Sequence, residues 1–210
     1  MAFTPFEVSS FADVAPATPD EFAPRETHSG PMPAKIVIAG GFGVGKTTFV
    51  GAISEIVPLT TEAALTTISI DVDALADDAT KTTTTVALDF GRITFPDDLI
   101  LYLFGTPGQA RFEFMWDELT RGAIGAVVVV DTRHLETSFA AIDYFEKLCV
   151  PFVVAVNAFG GAASHTVDAV REALDVDPAV PVLLCDARER GATKQVLIAL
   201  VQHAIKRARF

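Results

Sequence analysis

The sequence predicts an α/β fold: a mostly parallel six-stranded sheet with one antiparallel strand and helices on both faces. Three observations carry this expectation. The apolar run Lys35–Ala39 ends in Gly40-Gly41-Phe42-Gly43-Val44-Gly45-Lys46-Thr47 and opens into a helical pattern. Apolar runs around Val86–Phe90 and Leu99–Phe104 flank a Phe95-Pro96-Asp97-Asp98 turn, which is the pattern of a β-hairpin. Beyond it, short apolar runs alternate with amphipathic stretches, as βα units around a parallel sheet require.

Taken in order, Lys35–Ala39 is a buried strand, and a helix runs from Lys46 to about Ile56. The connection Val57–Thr84 is rich in Thr, Asp and Ala, with a strand candidate at Thr66–Val72. The hairpin follows. Then come a helix over Gln109–Arg121, a strand at Ala126–Val130, a helix over Leu135–Leu148 and a strand at Phe152–Val156. Thr166–Leu174 is a helix, Val180–Leu184 a strand and Ala192–Arg209 a closing helix.

The chain has 210 residues, enough for one domain plus an appendage. Half the residues are hydrophobic and 20% charged, so a packed core is within reach. The appendage is residues 1–33, read as an acidic, Pro-rich flexible segment, with the folded domain over 34–210. The segment carries Glu7, Asp13, Asp20, Glu21 and Glu26 against Arg25 and holds six of the twelve prolines. Its four phenylalanines follow neither a strand nor a helix period, so a mobile tail is the plainer reading and a docking motif the alternative.

A net charge of -11 argues against nucleic acid as the main partner, because phosphate contact needs clustered Lys and Arg. Cys149 and Cys185 sit in apolar stretches and read as small core residues, which suits a reducing cytosol. The longest apolar run, Ala123–Val130, falls far short of the roughly 18 residues that span a bilayer. No signal peptide or lipidation motif is read, and the basic turn Lys206, Arg207, Arg209 is too short for membrane attachment. The expected location is therefore cytoplasmic, peripheral to a membrane only through partners. The dense carboxylates Asp71, Asp73, Asp77 and Asp78 lack the glycine and terminal Glu of an EF-hand, and the four histidines are isolated.

Gly40–Thr47 fits G-x-x-x-x-G-K-[ST], with a strand before it and a helix after. A polyphosphate needs several backbone N–H groups converging on it. Glycines permit that approach, and the helix N-terminus adds partial positive charge. Lys46 is expected to reach the β- and γ-phosphates and the Thr47 hydroxyl to ligate Mg²⁺, with Thr48 next in the loop.

Around this loop the chain resembles the Ras-like small GTPases, and more narrowly the actinobacterial conservon GTPases of the CvnD type, relatives of the bacterial polarity GTPase MglA. The resemblance rests on Gly40–Thr48, Thr82–Gly91, Leu103–Gln109, Phe112–Trp116, Val130–Arg133, Val154–Asn157 and Cys185–Arg188. It implies a small G-domain binding GTP or GDP with Mg²⁺. Thr85 then stands at the first-switch threonine, a second metal ligand and γ-phosphate sensor, although Thr82–Thr84 stand close enough to take the role. Gly108 offers its N–H to the γ-phosphate, and Gln109 orients the attacking water. Asn157 and the run Asp186-Ala187-Arg188 border the base, with the Ala187 N–H reading guanine.

The chain also departs from the pattern. Gly105 replaces the Asp that holds a Mg²⁺-bound water. Ala158 and Gly160 replace the Lys and Asp that grip guanine. Phe42 replaces a loop glycine and crowds the catalytic Gln, which implies slow hydrolysis. Arg133 or Arg111 is a candidate cis arginine; a surface salt bridge is the plainer reading of each. The aromatics Phe112, Phe114 and Trp116 are either partner anchors or core. The family's partners are roadblock-domain regulators, in a module with a membrane sensor kinase. Two alternatives remain: a P-loop ATPase or kinase using Asp131 as metal carboxylate, or a nucleotide-binding interaction module without hydrolysis.

Overall fold

A computed structural model of the chain describes residues 30–66, 83–96, 98–108, 114–160 and 165–208. The tail assigned to 1–33 lies outside them up to residue 29. Its last two residues, Met32 and Pro33, belong to the first strand, because they pair with Leu99 and Ile100. The candidate strand Thr66–Val72, the acidic run 71–78, Gln109, Arg111 and Phe112 also fall outside, except for Thr66 itself.

The elements run β1 (Met32–Ala39), α1 (Lys46–Ile53), β2 (Leu59–Thr66), β3 (Thr83–Thr94), β4 (Leu99–Gly105), α2 (Trp116–Thr120), β5 (Gly125–Val130), α3 (Phe139–Lys147), β6 (Phe152–Asn157), α4 (Val167–Leu174), β7 (Val182–Cys185) and α5 (Arg190–Ala208). The sheet order is β2-β3-β4-β1-β5-β6-β7. β3 is antiparallel to both neighbours and every other pair is parallel. This is the expected architecture of a parallel sheet with one antiparallel strand. The seventh strand, β2, extends the hairpin edge.

Period-two burial assigns each strand residue to one face. Ile36, Ile38, Val127, Val129, Val153 and Ala155 point toward α1 and α5, meeting Phe49, Val50, Val196 and Leu200. Their neighbours Val37, Ala39, Val128, Val130, Val154 and Val156 meet Ile142 and Phe145 of α3 and Val170 of α4. β1, β5 and β6 are covered on both sides, which is why they read as unbroken apolar runs. Trp116 is buried in the second cluster and packs edge-on against Tyr144 at 5.2 Å between ring centroids. It is therefore a core residue, whereas Phe114 is exposed.

Cys185 is buried as expected, but Cys149 is exposed. Cys149 follows the end of α3 with φ of 54°, and that left-handed turn carries its side chain away from the core despite its apolar neighbours.

The sheet places the ends of β1, β4 and β5 together. β1 lies between the hairpin's β4 on one side and β5 on the other. A crevice beyond the carboxyl ends of strands opens at such a switch in direction.

Candidate functional site

The loop between β1 and α1 fills that crevice. Gly40, Gly43 and Gly45 have φ of 133°, 75° and 107°, conformations that L side chains rarely adopt. They turn the chain so that α1 begins directly at Lys46, with Gly45 as N-cap and no side-chain cap. The first N–H groups of α1 have no partner within the helix and are free to meet an anion.

Lys46 is 8% exposed, and its Nζ donates to the carbonyls of Gly40 at 2.9 Å and Gly41 at 2.6 Å. Burial pushes its pKa down to about 8, partly opposed by the nearby charge of Asp89. Gly108 sits directly on this loop. A Cβ there would lie 2.7 Å from Lys46 Nζ and 2.8 Å from the Gly41 carbonyl oxygen.

The Thr47 hydroxyl donates to Asp89 Oδ2 at 2.6 Å. Asp89 is buried on β3, directly paired with Gly105 of β4. Thr106 is 3% exposed, and its hydroxyl has no hydrogen-bond partner. Lys46, Thr47, Thr48, Asp89, Thr106 and Gly108 line one cleft of about 300 Å³, with Phe42 at its exposed edge.

A second cavity of about 310 Å³ adjoins it through Thr48, lined by Asn157, Phe159, Gly160, Asp186, Ala187 and Arg188. The buried Asn157 amide ties the two together. Its Nδ2 donates to the Val44 carbonyl at 2.9 Å, and its Oδ1 accepts the Ala187 N–H at 3.1 Å. The Ala187 N–H expected to read guanine is thus engaged by Asn157. Arg188 forks onto Asp186 at 2.9 and 2.6 Å and holds that carboxyl down to about 2.

The structure sets Phe42, Gly43, Gly45–Thr48 and Gly108 around the first cleft and Asn157, Asp186, Ala187 and Arg188 around the second, with Thr48 lining both. Thr85 pairs with Ala64 in the antiparallel β2–β3 ladder, four residues before Asp89 on the same strand. Asp131 is buried and gripped by Arg133, whose guanidinium donates at 2.9, 3.1 and 2.7 Å and holds the carboxyl below its usual range. The same guanidinium lies 4.2 Å from the Phe159 ring centroid. This is the salt bridge weighed for Arg133. It commits Asp131 to an arginine and gives no support to a metal role.

Asp89 is the residue that sequence reasoning passed over. It appeared only as one letter of a strand motif, and its meaning depends on the register that sets it beside Gly105.

The loop, the crevice and the sheet order define a P-loop nucleotide-binding protein with a G-domain-like fold. The chain belongs to the family described as conserved hypothetical ATP binding protein, which matches residues 38–207. An uncharacterized protein of Methanocaldococcus jannaschii, MJ1339, is 30% identical over 125 residues, covering 59% of this chain and 68% of that protein. Among solved structures, the G domain of the T. maritima FeoB iron transporter is similar at a TM-score of 0.56 and 17% identity, covering 82% of this chain and 99% of that one. The FeoB G-domain from Methanococcus jannaschii is similar at 0.53 and 16%, covering 82% and 98%. Among the described residues no helix is long and apolar enough to cross a membrane.

Proposed function

We propose that this chain is a nucleotide-dependent switch of small-GTPase type, which binds GTP and GDP with Mg²⁺, hydrolyses GTP slowly and reports its nucleotide state to a protein partner. The observation that carries the reading is the convergence of Lys46, Thr47, Asp89, Thr106 and Gly108 on one cleft, joined at Thr48 to a cavity fit for a base. The similarity to G domains supports the guanine nucleotide.

The donors at the cleft are hard oxygens, a hydroxyl and a carboxylate, and they suit Mg²⁺ completed by phosphate oxygens and waters. Bound there, the ion would neutralise charge on the phosphates. Lys46 leaves the Gly40 and Gly41 carbonyls for phosphate oxygens, the Gly108 N–H meets the terminal phosphate, and Gln109 orients the water. Thr85 joins only if β3 releases its first residues, which makes the β2–β3 edge the first switch. Phe42, 77% exposed at the cleft mouth, hinders the approach of a catalytic group and keeps hydrolysis slow. By the conservon resemblance the partner is a roadblock-domain regulator, within a module that includes a membrane sensor kinase. Phe42 and Phe114 are exposed beside the cleft and the second switch for it to grip.

The second reading is ATP as ligand. The family description supports it, and so do Ala158, Gly160 and an Ala187 N–H already bonded to Asn157, because guanine then meets no dedicated partner.

The test is to identify the nucleotide released on denaturing the purified protein. Affinities for GTP, GDP and ATP are then measured with and without Mg²⁺, alongside Lys46→Ala. Tight GTP lost in Lys46→Ala, with turnover well below one per second, is expected. Tight ATP with weak GTP would overturn the guanine assignment. Tight GTP with no turnover, even with a roadblock partner, would leave a binding module rather than an enzyme.

A further inference from the structure

A cavity of about 580 Å³ lies on the sheet face that carries α1 and α5, away from both nucleotide compartments. α1 stops at Ile53, and beyond it the end of the β3–β4 hairpin faces α5 across open space. Leu99 and Leu101 of β4 line one side of this slot, Ile198 and Val201 of α5 the other. The lining on α5 runs from Arg190 to Gln202, so the slot is about 18 Å long at the helical rise per residue.

Its width, backbone and charge each restrict what can fill it. Ile53, Ile93, Leu101 and Leu197 border the slot and are nevertheless buried from solvent. A trough broad enough for a helix, about 10 Å across, would bare such a floor to water, so the occupant is slender. The strands beneath are paired to their ends, Thr94 with Ile100 and Met32 with Leu99. An extended peptide would therefore find no free strand edge, and its amides would lose water without gaining partners. A hydrocarbon chain carries no such groups.

The charge is placed at one end. The protein carries a net -11, yet among the described residues that line the slot there is no Asp or Glu, whereas Arg190 and Lys194 stand one turn apart at the start of α5. Arg188 nearby is spent on Asp186, while neither Arg190 nor Lys194 has an ion-pair partner among the described residues. Glu55 reaches the rim through Thr94, but Arg92 shares that carboxylate.

We infer that this slot binds a free single-chain anionic amphiphile of the fatty-acid class, with its head on Arg190 and Lys194 and its tail between the β3–β4 hairpin and α5. The arginine fork takes a carboxylate on two hydrogen bonds, and the lysine adds a point charge. The apolar walls reward each methylene withdrawn from water. An apolar cavity of this size with a few convergent polar groups is the usual form of a small-ligand site. The inference stands apart from the nucleotide reading, because no residue lining the slot lines either nucleotide compartment.

Calorimetric titration of the full chain with octanoate, decanoate and dodecanoate, each below its micelle concentration, and with neutral decanol, tests it. Affinity should rise about fourfold with each buried methylene. Arg190→Gln with Lys194→Gln should weaken decanoate about tenfold or more and leave decanol within about twofold, since only the charged head loses its partners. Ile198→Trp, which fills the slot, should weaken both. All three positions are exposed, so these variants leave the core intact. Failure of the full chain to take up any of the acids overturns the inference, as does affinity that ignores chain length or survives the double glutamine variant unchanged. Self-association that Ile198→Glu abolishes, without uptake of decanoate, would assign the slot to a second copy and overturn it. Sedimentation with anionic phospholipid vesicles, without uptake of the free acid, would assign it to a membrane surface and overturn it equally.

Discussion

Lys46 makes nucleotide binding proton-linked in a way that can be counted. Lys46 is 8% exposed, its ammonium donates to the Gly40 and Gly41 carbonyls, and burial lowers its pKa from 10.5 to about 8. A polyphosphate beside it favours the charged form, so the bound state keeps the proton that the free protein sheds above about pH 8. Between about pH 7.5 and about pH 9 the charged fraction of free Lys46 falls from roughly three-quarters to roughly one-tenth. Affinity should weaken about eightfold over that interval. Stability should move the other way. The unfolded chain, with a lysine near 10.5, binds more protons than the folded one between about pH 8 and about pH 10.5, so the nucleotide-free protein gains stability as pH rises through that window. The full shift corresponds to about 3 kcal/mol. Calorimetric titration in two buffers of different ionisation heat counts the proton taken up. Urea melts of wild type against Lys46→Met isolate the stability trend. A flat affinity together with zero proton uptake at about pH 9 would refute the account of Lys46 as a desolvated ammonium.

Further outcomes follow from the same geometry. Asn157→Ala removes two hydrogen bonds and strands the Val44 carbonyl and the Ala187 N–H, so urea melts should show a loss of about 2–4 kcal/mol; a change under half a kcal/mol, as for an ordinary surface site, would contradict it. Phe145→Ala opens the fully buried centre of the α3 face and should cost about 3–5 kcal/mol in the same assay. A thiol reagent should label exposed Cys149 in the native protein, whereas Cys185, whose pKa burial pushes up to about 11, should react only on unfolding. Trp116 is the single tryptophan, packed on Tyr144, and follows Gln109, the proposed second-switch glutamine, by seven residues, so its fluorescence should differ between di- and triphosphate complexes; identical spectra would argue against a responsive second switch.

Much of this was readable from the chain because local chemistry dictated it. The glycines of the phosphate loop, the Phe95–Asp98 turn and the unbroken apolar strands each require their conformation without reference to distant residues. The features missed depend on distant residues. The strand Leu59–Thr66 has fewer β-branched residues than Thr66–Val72 and owes its existence to pairing with β3. Cys149 looked apolar by its neighbours, but a left-handed turn redirects it. Asp89 was invisible as a site residue, since nothing along the sequence says that position 89 will lie against 105. Arg133 could be weighed only as finger or salt bridge until the fork onto Asp131 was seen.

The Asn157 amide acts as a spacer. With one end on the phosphate loop and the other on the segment beside the base cavity, it sets the separation of the two compartments before any ligand arrives. A ligand must match that length. Bare polyphosphate fills one compartment and a free nucleoside the other, and each forgoes half of an arrangement whose ordering cost folding has already met. On the proposed reading, Asn157 thereby acts as a gauge of molecular length that favours whole nucleotides over either fragment.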